Sequence, residues 1–171
     1  MEQYAELVIV LNDLIRINTD RVRELKKRIN DLEKNSEMGS FFKQLIKEGV
    51  KFNVQLLHEV QKKGGAVVNL AASNSGKIYN SWKELKDWLI QKKDLSILEK
   101  VQFDAKAALK VYKEALFAVA SIPADTLDLI ATQKALLREA CEKIKTKLIL
   151  NNPHSIFIDG NYFETRSGYR I

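Results

Sequence analysis

The chain is poor in residues that staple or break a fold. Its 171 residues include one cysteine, two prolines and seven glycines. A single Cys excludes a disulfide framework and any zinc or iron–sulfur site that needs several thiolates. So few Gly and Pro residues exclude an all-β chain built from many tight turns. Aromatic residues make up 8% of the chain. They do not interleave with a basic stripe, as a groove for single-stranded nucleic acid requires. There is no phosphate loop, dinucleotide fingerprint or nucleophile elbow, and Gly64-Gly65 is not followed by Gly-Lys-Ser/Thr. The longest early apolar run, Leu7–Leu11, stops at Asn12-Asp13. It is too short to span a membrane, and no basic segment precedes it, so the sequence predicts neither a signal peptide nor membrane association, and a cytoplasmic protein.

What is present is the composition of a globular protein, 46% hydrophobic and 29% charged. A chain of this size buries about 70% of its unfolded surface, enough for one core. Lys and Arg number 28 against 22 Asp and Glu, a net charge of +6. The basic residues are scattered as Lys26-Lys27-Arg28, Lys62-Lys63 and Lys92-Lys93 with acids between them. That distribution reads as solvated helix faces, and nucleic acid ranks last among the partners considered.

The dominant period is helical. Leu7, Leu11, Leu14, Val22, Leu25, Ile29 and Leu32 form one stripe, interrupted at Asn18, over about residues 3–35. Asn35-Ser36 and Gly39 read as a turn. Phe42, Leu45, Gly49, Phe52, Leu56 and Val60 form a second stripe that ends at Gly64-Gly65. After a turn-like Ser73–Gly76, the residues Ile78, Trp82, Leu85 and Leu89 predict a short helix. The third long stripe is Leu98, Val101, Ala105, Ala108, Tyr112, Ala115 and Val119. Pro123 and Asp125 suit the start of a fourth, carried by Leu127, Ile130, Leu137, Cys141, Ile144 and Leu148 with Lys134 as the exception. Four such helices bury their apolar faces most economically in an antiparallel bundle. Two connections are short. The one from Gly64 to Lys93 is long and holds the short helix, as in the ferritin-like arrangement. The expected organisation is a bundle over residues 1–150 and a non-helical tail over 151–171. In the tail, Asp159-Gly160 between two β-prone runs suggests a hairpin or an extended segment.

Five strings resemble, in order and spacing, a bacterial ferritin-like four-helix-bundle family of unknown function. They are Leu11-Asn-Asp-Leu-Ile with Asn18-Thr-Asp-Arg-Val, Glu59-Val-Gln-Lys-Lys-Gly-Gly, Ser75-Gly-Lys-Ile-Tyr-Asn-Ser-Trp, Ile97-Leu-Glu with Ala107-Ala-Leu-Lys-Val-Tyr-Lys-Glu-Ala-Leu, and Pro123-Ala-Asp. The resemblance covers about residues 5–149. It implies inward acidic residues on the four helices and a late His on the fourth. At the corresponding positions this chain has Arg23, Gln55, Ala105, Leu136 and Cys141, so the resemblance implies a degenerate metal site with no metal or other cofactor.

The residues themselves point the same way. Glu-x-x-His and His-x-x-Glu do not occur, and the chain has two histidines. His154 lies in the tail. His58 follows Gln55 by three, an amide version of the pair, and amides hold iron weakly. Inward positions such as Ala105, Ala108, Leu137 and Cys141 would fill space without ligating. Cys141 reads as a buried thiol and Asn18 as a hydrogen-bonded core amide or register device. Gly49 reads as a point of close helix approach, Trp82 and Trp88 as cover for the bundle, and His58-Glu59 as a surface pair. The leading functional expectation is a non-catalytic bundle that works by protein contact, as a homodimer or with a protein partner. The alternatives are a metal-binding or oxidative-stress protein using Glu24, Gln55, His58, Glu59 and Glu99 in another register, and then a nucleic-acid-binding bundle.

Overall fold

The computed structural model describes residues 2–32, 37–67 and 76–151. The expected turn at Asn35-Ser36, most of the Ser73–Gly76 turn, and the hairpin and His154 of the tail lie outside the described residues, while Gly39, expected in the first of these turns, is helical instead. Those described form five α-helices and no strand: α1 (Ala5–Asn30), α2 (Glu37–Lys62), α3 (Lys77–Ile90), α4 (Ile97–Ala115) and α5 (Ala124–Asn151). A single 3-10 turn, Glu2–Tyr4, leads into α1. None of these helices is long and apolar enough to cross a membrane.

Helix ends follow local chemistry. Gly64 adopts φ +75° just past α2, a left-handed conformation that glycine enters without a Cβ penalty. Ser96 and Glu99 form a reciprocal capping box at the start of α4. The sequence predicts α4 to continue to Val119, but it stops at Ala115. Its end tightens into three-residue turns, with the N–H groups of Phe117 and Ala118 donating to the carbonyls of Glu114 and Ala115. Val119 and Ile122 still pack on the core from the connection, so the apolar period outlasts the helix.

Contacts between helices fix their directions. Val22 of α1 meets Gly49 of α2, where an added Cβ would stand 2.7 Å from Val22 Cγ2. Thr19 of α1 accepts from Asn53 of α2 at 3.0 Å, so α1 and α2 run antiparallel. Asn18 pairs with Tyr112, and Arg28 with Asp104, so α4 also runs against α1. In the same way α5 runs against α2, with Thr126 bonded to Glu59 and Gln133 to Gln55. The α3 helix lies between α1 and α4. Trp82 is 1% exposed, while Trp88 stacks on Phe103 with centroids 5.3 Å apart.

The interior has two apolar clusters. One gathers Leu11, Leu14, Phe52, Leu56, Trp82, Val111, Ile130 and Leu137; the other gathers Phe41, Phe42, Leu45, Val101, Ala105, Cys141 and Ile144. Complete burial of an aliphatic or aromatic side chain here contributes about 1.5–3 kcal/mol. On α5 the expected stripe needs correction. Leu127 is exposed, and Thr126 and Gln133 face inward in addition to Ile130, Leu137, Cys141, Ile144 and Leu148.

Candidate functional site

The interior is less apolar than the sequence suggests. Midway along the helices, four polar side chains from four helices form one chain of hydrogen bonds. Asn18 of α1 donates to the Tyr112 hydroxyl of α4 at 2.7 Å. That hydroxyl donates to Gln133 Oε1 of α5, also at 2.7 Å. Gln133 Nε2 in turn donates to Gln55 Oε1 of α2 at 3.0 Å and to the Phe52 carbonyl at 3.3 Å. Asn18, Tyr112 and Gln133 are fully buried. Arg21 extends the chain by donating to Asn18 Oδ1 at 3.1 Å.

The four linked side chains of this spine are neutral, and the buried Arg21 guanidinium reaches it only at the Asn18 end. Amides do not titrate, and burial pushes the Tyr112 phenol far above its ordinary pKa. Three satisfied groups at complete burial stabilise one arrangement of four helices, because any slip leaves a donor or acceptor without a partner. Nothing in the spine supplies a base, an ionised ligand or an activated nucleophile.

Charges lie farther toward the ends. Near the end of α1, Arg28 and Lys86 both bind Asp104, the lysine at 2.5 Å. At the opposite end Thr126 donates to Glu59 at 2.5 Å, and Lys63 approaches Glu59 at 3.4 Å and Asp125 at 3.3 Å. The pairing with Lys62 and Lys63 holds the Asp125 carboxyl well below its ordinary pKa. On the α1 side Asp13 accepts from the backbone N–H groups of Gly76 and Tyr79, at 3.1 and 3.0 Å, and so caps α3 from another helix. Burial raises its pKa against those bonds. Burial likewise raises Glu48, which faces Arg21 of α1, Glu139 and Lys143 of α5 and Lys51 of its own helix.

The residues singled out in the sequence do not converge. Ala105 and Cys141 share the second apolar cluster. Gln55 belongs to the spine, and Leu136 packs half-buried at the edge of the first cluster. Arg23 is not inward: it is exposed and pairs with Asp20 one turn away. Of the alternative set, Glu99 caps α4, Glu24 lies beside Arg28 at 3.8 Å, and His58 is exposed. Glu59 is a correction to the surface pair, being 6% exposed and bonded to Thr126. Among the described residues no three His, Cys, Asp or Glu side chains group so as to hold a metal ion.

Two spine residues escape the sequence reading. Tyr112 counts there as an apolar stripe member, and its hydroxyl has no visible partner. Gln133 fills the gap between Ile130 and Leu137, where helical spacing demands an inward residue at 133 or 134. The adjacent Lys134 draws attention to the wrong one. No protein-family model, no curated protein and no solved structure matches this chain.

Proposed function

We propose that the chain is a ferritin-like four-helix bundle, formed by α1, α2, α4 and α5 with α3 in the crossover, that works by protein contact and not by metal chemistry. The observation that carries this reading is the neutral spine of Asn18, Tyr112, Gln133 and Gln55. It takes one polar side chain from each of the four helices, at the depth where a di-metal bundle gathers carboxylates. Carboxylates offset the charge of two cations, whereas amides and a protonated phenol do not. The helix directions support the topology: α2 and α4 both run against α1, which requires a connection that returns the length of the molecule. The fold is then a scaffold whose outer helix faces are its working surface.

Elemental analysis of protein purified from cells grown with added iron and manganese tests the reading. The expected content is below about one-tenth of a metal ion per chain. Stoichiometric metal, retained after dialysis and lost on substitution of Gln55 or Gln133, would overturn it.

A further inference from the structure

Where α1 and α2 pack side by side, α1 carries an open depression and α2 an exposed apolar stripe. On α1 an open depression of about 380 Å³ is lined by Thr19, Val22, Arg23, Lys26, Lys27 and Asn30. The Val22–Gly49 contact and the Asn53–Thr19 hydrogen bond bring α2 against this stretch. Positions 50, 54 and 57 share the outward face of α2 at helical spacing. They are Val50, Val54 and Leu57, which are 46%, 62% and 38% exposed. Such a stripe has no role in the core. Lys43, Lys47 and Lys51 flank it on α2, all exposed. Acids already offset part of the α1 charge, Asp20 pairing with Arg23 and Glu24 lying 3.9 Å from Lys27, so Lys26 and the lysines of α2 carry most of the positive charge here.

We infer that this seam is a docking surface for an acidic amphipathic helix of another protein. The inference rests on the reading of the chain as a contact scaffold. The exposed Val50, Val54 and Leu57 stripe with Lys43, Lys47 and Lys51 beside it matches a helix with an aliphatic stripe flanked by Glu and Asp. Charge selects this occupant over the others. A second copy on a two-fold axis would set Lys43, Lys47 and Lys51 against their own equivalents. The chain's own residues 152–171 carry Asp159 and Glu164 against Arg166 and Arg170, a net charge of zero, and so do not complement these lysines. A bilayer is flat, and the exposed α2 stripe holds no Trp or Phe to anchor in one.

The probe is a synthetic helical peptide of about 18 residues, with Leu at helical spacing and Glu on both flanks. The control has Lys in place of every Glu. Titrated into the full chain, the acidic peptide is expected to bind with micromolar affinity that falls as salt rises, and the basic control not to bind. Val54→Asp and the Lys43→Glu/Lys47→Glu pair each weaken binding at least tenfold while leaving the unfolding midpoint unchanged, since all three residues are exposed. Equal binding of both peptides, binding of neither, or indifference to these substitutions overturns the inference. Thiol labelling of Val54→Cys, with the parent's buried Cys141 as the blank, separates the rival occupants. Fast labelling at every concentration is expected. Labelling slow at all concentrations means that the chain's own segment covers the stripe, and labelling slow only at high concentration means a second copy. Either result overturns the proposal, as does co-sedimentation with phosphatidylglycerol vesicles that Val54→Asp abolishes. Metal found in the bundle would sink the scaffold reading and leave the peptide binding standing, so the two failures are distinguishable.

Discussion

The middle of the molecule and its ends handle buried polarity in opposite ways. In the middle, Asn18, Tyr112 and Gln133 are fully enclosed and uncharged, and each one is bonded to the next. Toward the ends, Asp104 sits between Arg28 and Lys86, and Glu59 between Thr126 and Lys63. Desolvating an ion costs far more than desolvating an amide. The difference teaches where deeply buried carboxylates such as Asp104 and Glu59 are tolerated: where two partners are at hand to bind them. It also separates two uses of polarity. The neutral spine fixes how four helices sit together, and the ion pairs fasten particular helix ends.

The strongest test of that contrast is Asp104→Ala. It leaves Arg28 and Lys86 facing each other without their shared acid, and breaking a buried pair this way costs about 3–5 kcal/mol. Urea unfolding measures it, and a loss below about 1 kcal/mol would mean that solvent already screens the cluster. Tyr112→Phe comes next. It keeps the ring's packing but strands the Asn18 donor and the Gln133 acceptor, for an expected loss of about 1–3 kcal/mol. A double-mutant cycle with Asn18→Leu sharpens the result, because removing the donor together with the hydroxyl should recover part of the loss.

Smaller effects separate middle from end by pH. Burial raises the folded pKa of Glu48, so its ionisation opposes folding as pH climbs above 4.5. Glu48→Gln is therefore expected to be more stable than the parent at neutral pH. That advantage should shrink as pH falls through the raised value and vanish below 4.5. Asp125 has the opposite sign. Its lowered pKa contributes stability above pH 3.8 that is lost as pH falls through the folded value. Because Asp125 is exposed, its contribution is the smallest of the four and should disappear in 1 M salt, where the Debye length is about 3 Å. Denaturation of Glu48→Gln from pH 3 to 7, and of Asp125→Asn on down to about pH 1.5, checks both signs, and parallel profiles would contradict the contrast.

Much of the helical layout is legible in the sequence, because stripes such as Phe42, Leu45, Phe52, Leu56 and Val60 are one-dimensional signals of a buried face. The same logic misleads wherever a polar residue holds an inward position. Leu127 looks like a stripe member and is exposed, while its neighbour Thr126 is buried to reach Glu59. Arg23 aligns by resemblance with a ligand position and points to solvent. Gln133 is legible only as a gap in a period, since its partners Tyr112 and Gln55 are 21 and 78 residues away. Apolar burial depends on a residue's own chemistry, whereas polar burial depends on a partner that only the fold supplies.

The cap that Asp13 places on α3 has a consequence for the order of assembly. Gly76 offers no side chain to begin that helix, and the acceptors for the N–H groups of Gly76 and Tyr79 lie more than sixty residues earlier. During synthesis α3 therefore starts with no side-chain cap from its own N-cap residue, and it gains one when an already formed α1 presents its carboxylate. The middle of the polypeptide waits on its beginning, and a fragment cut between the two would lose the instruction for where that helix starts.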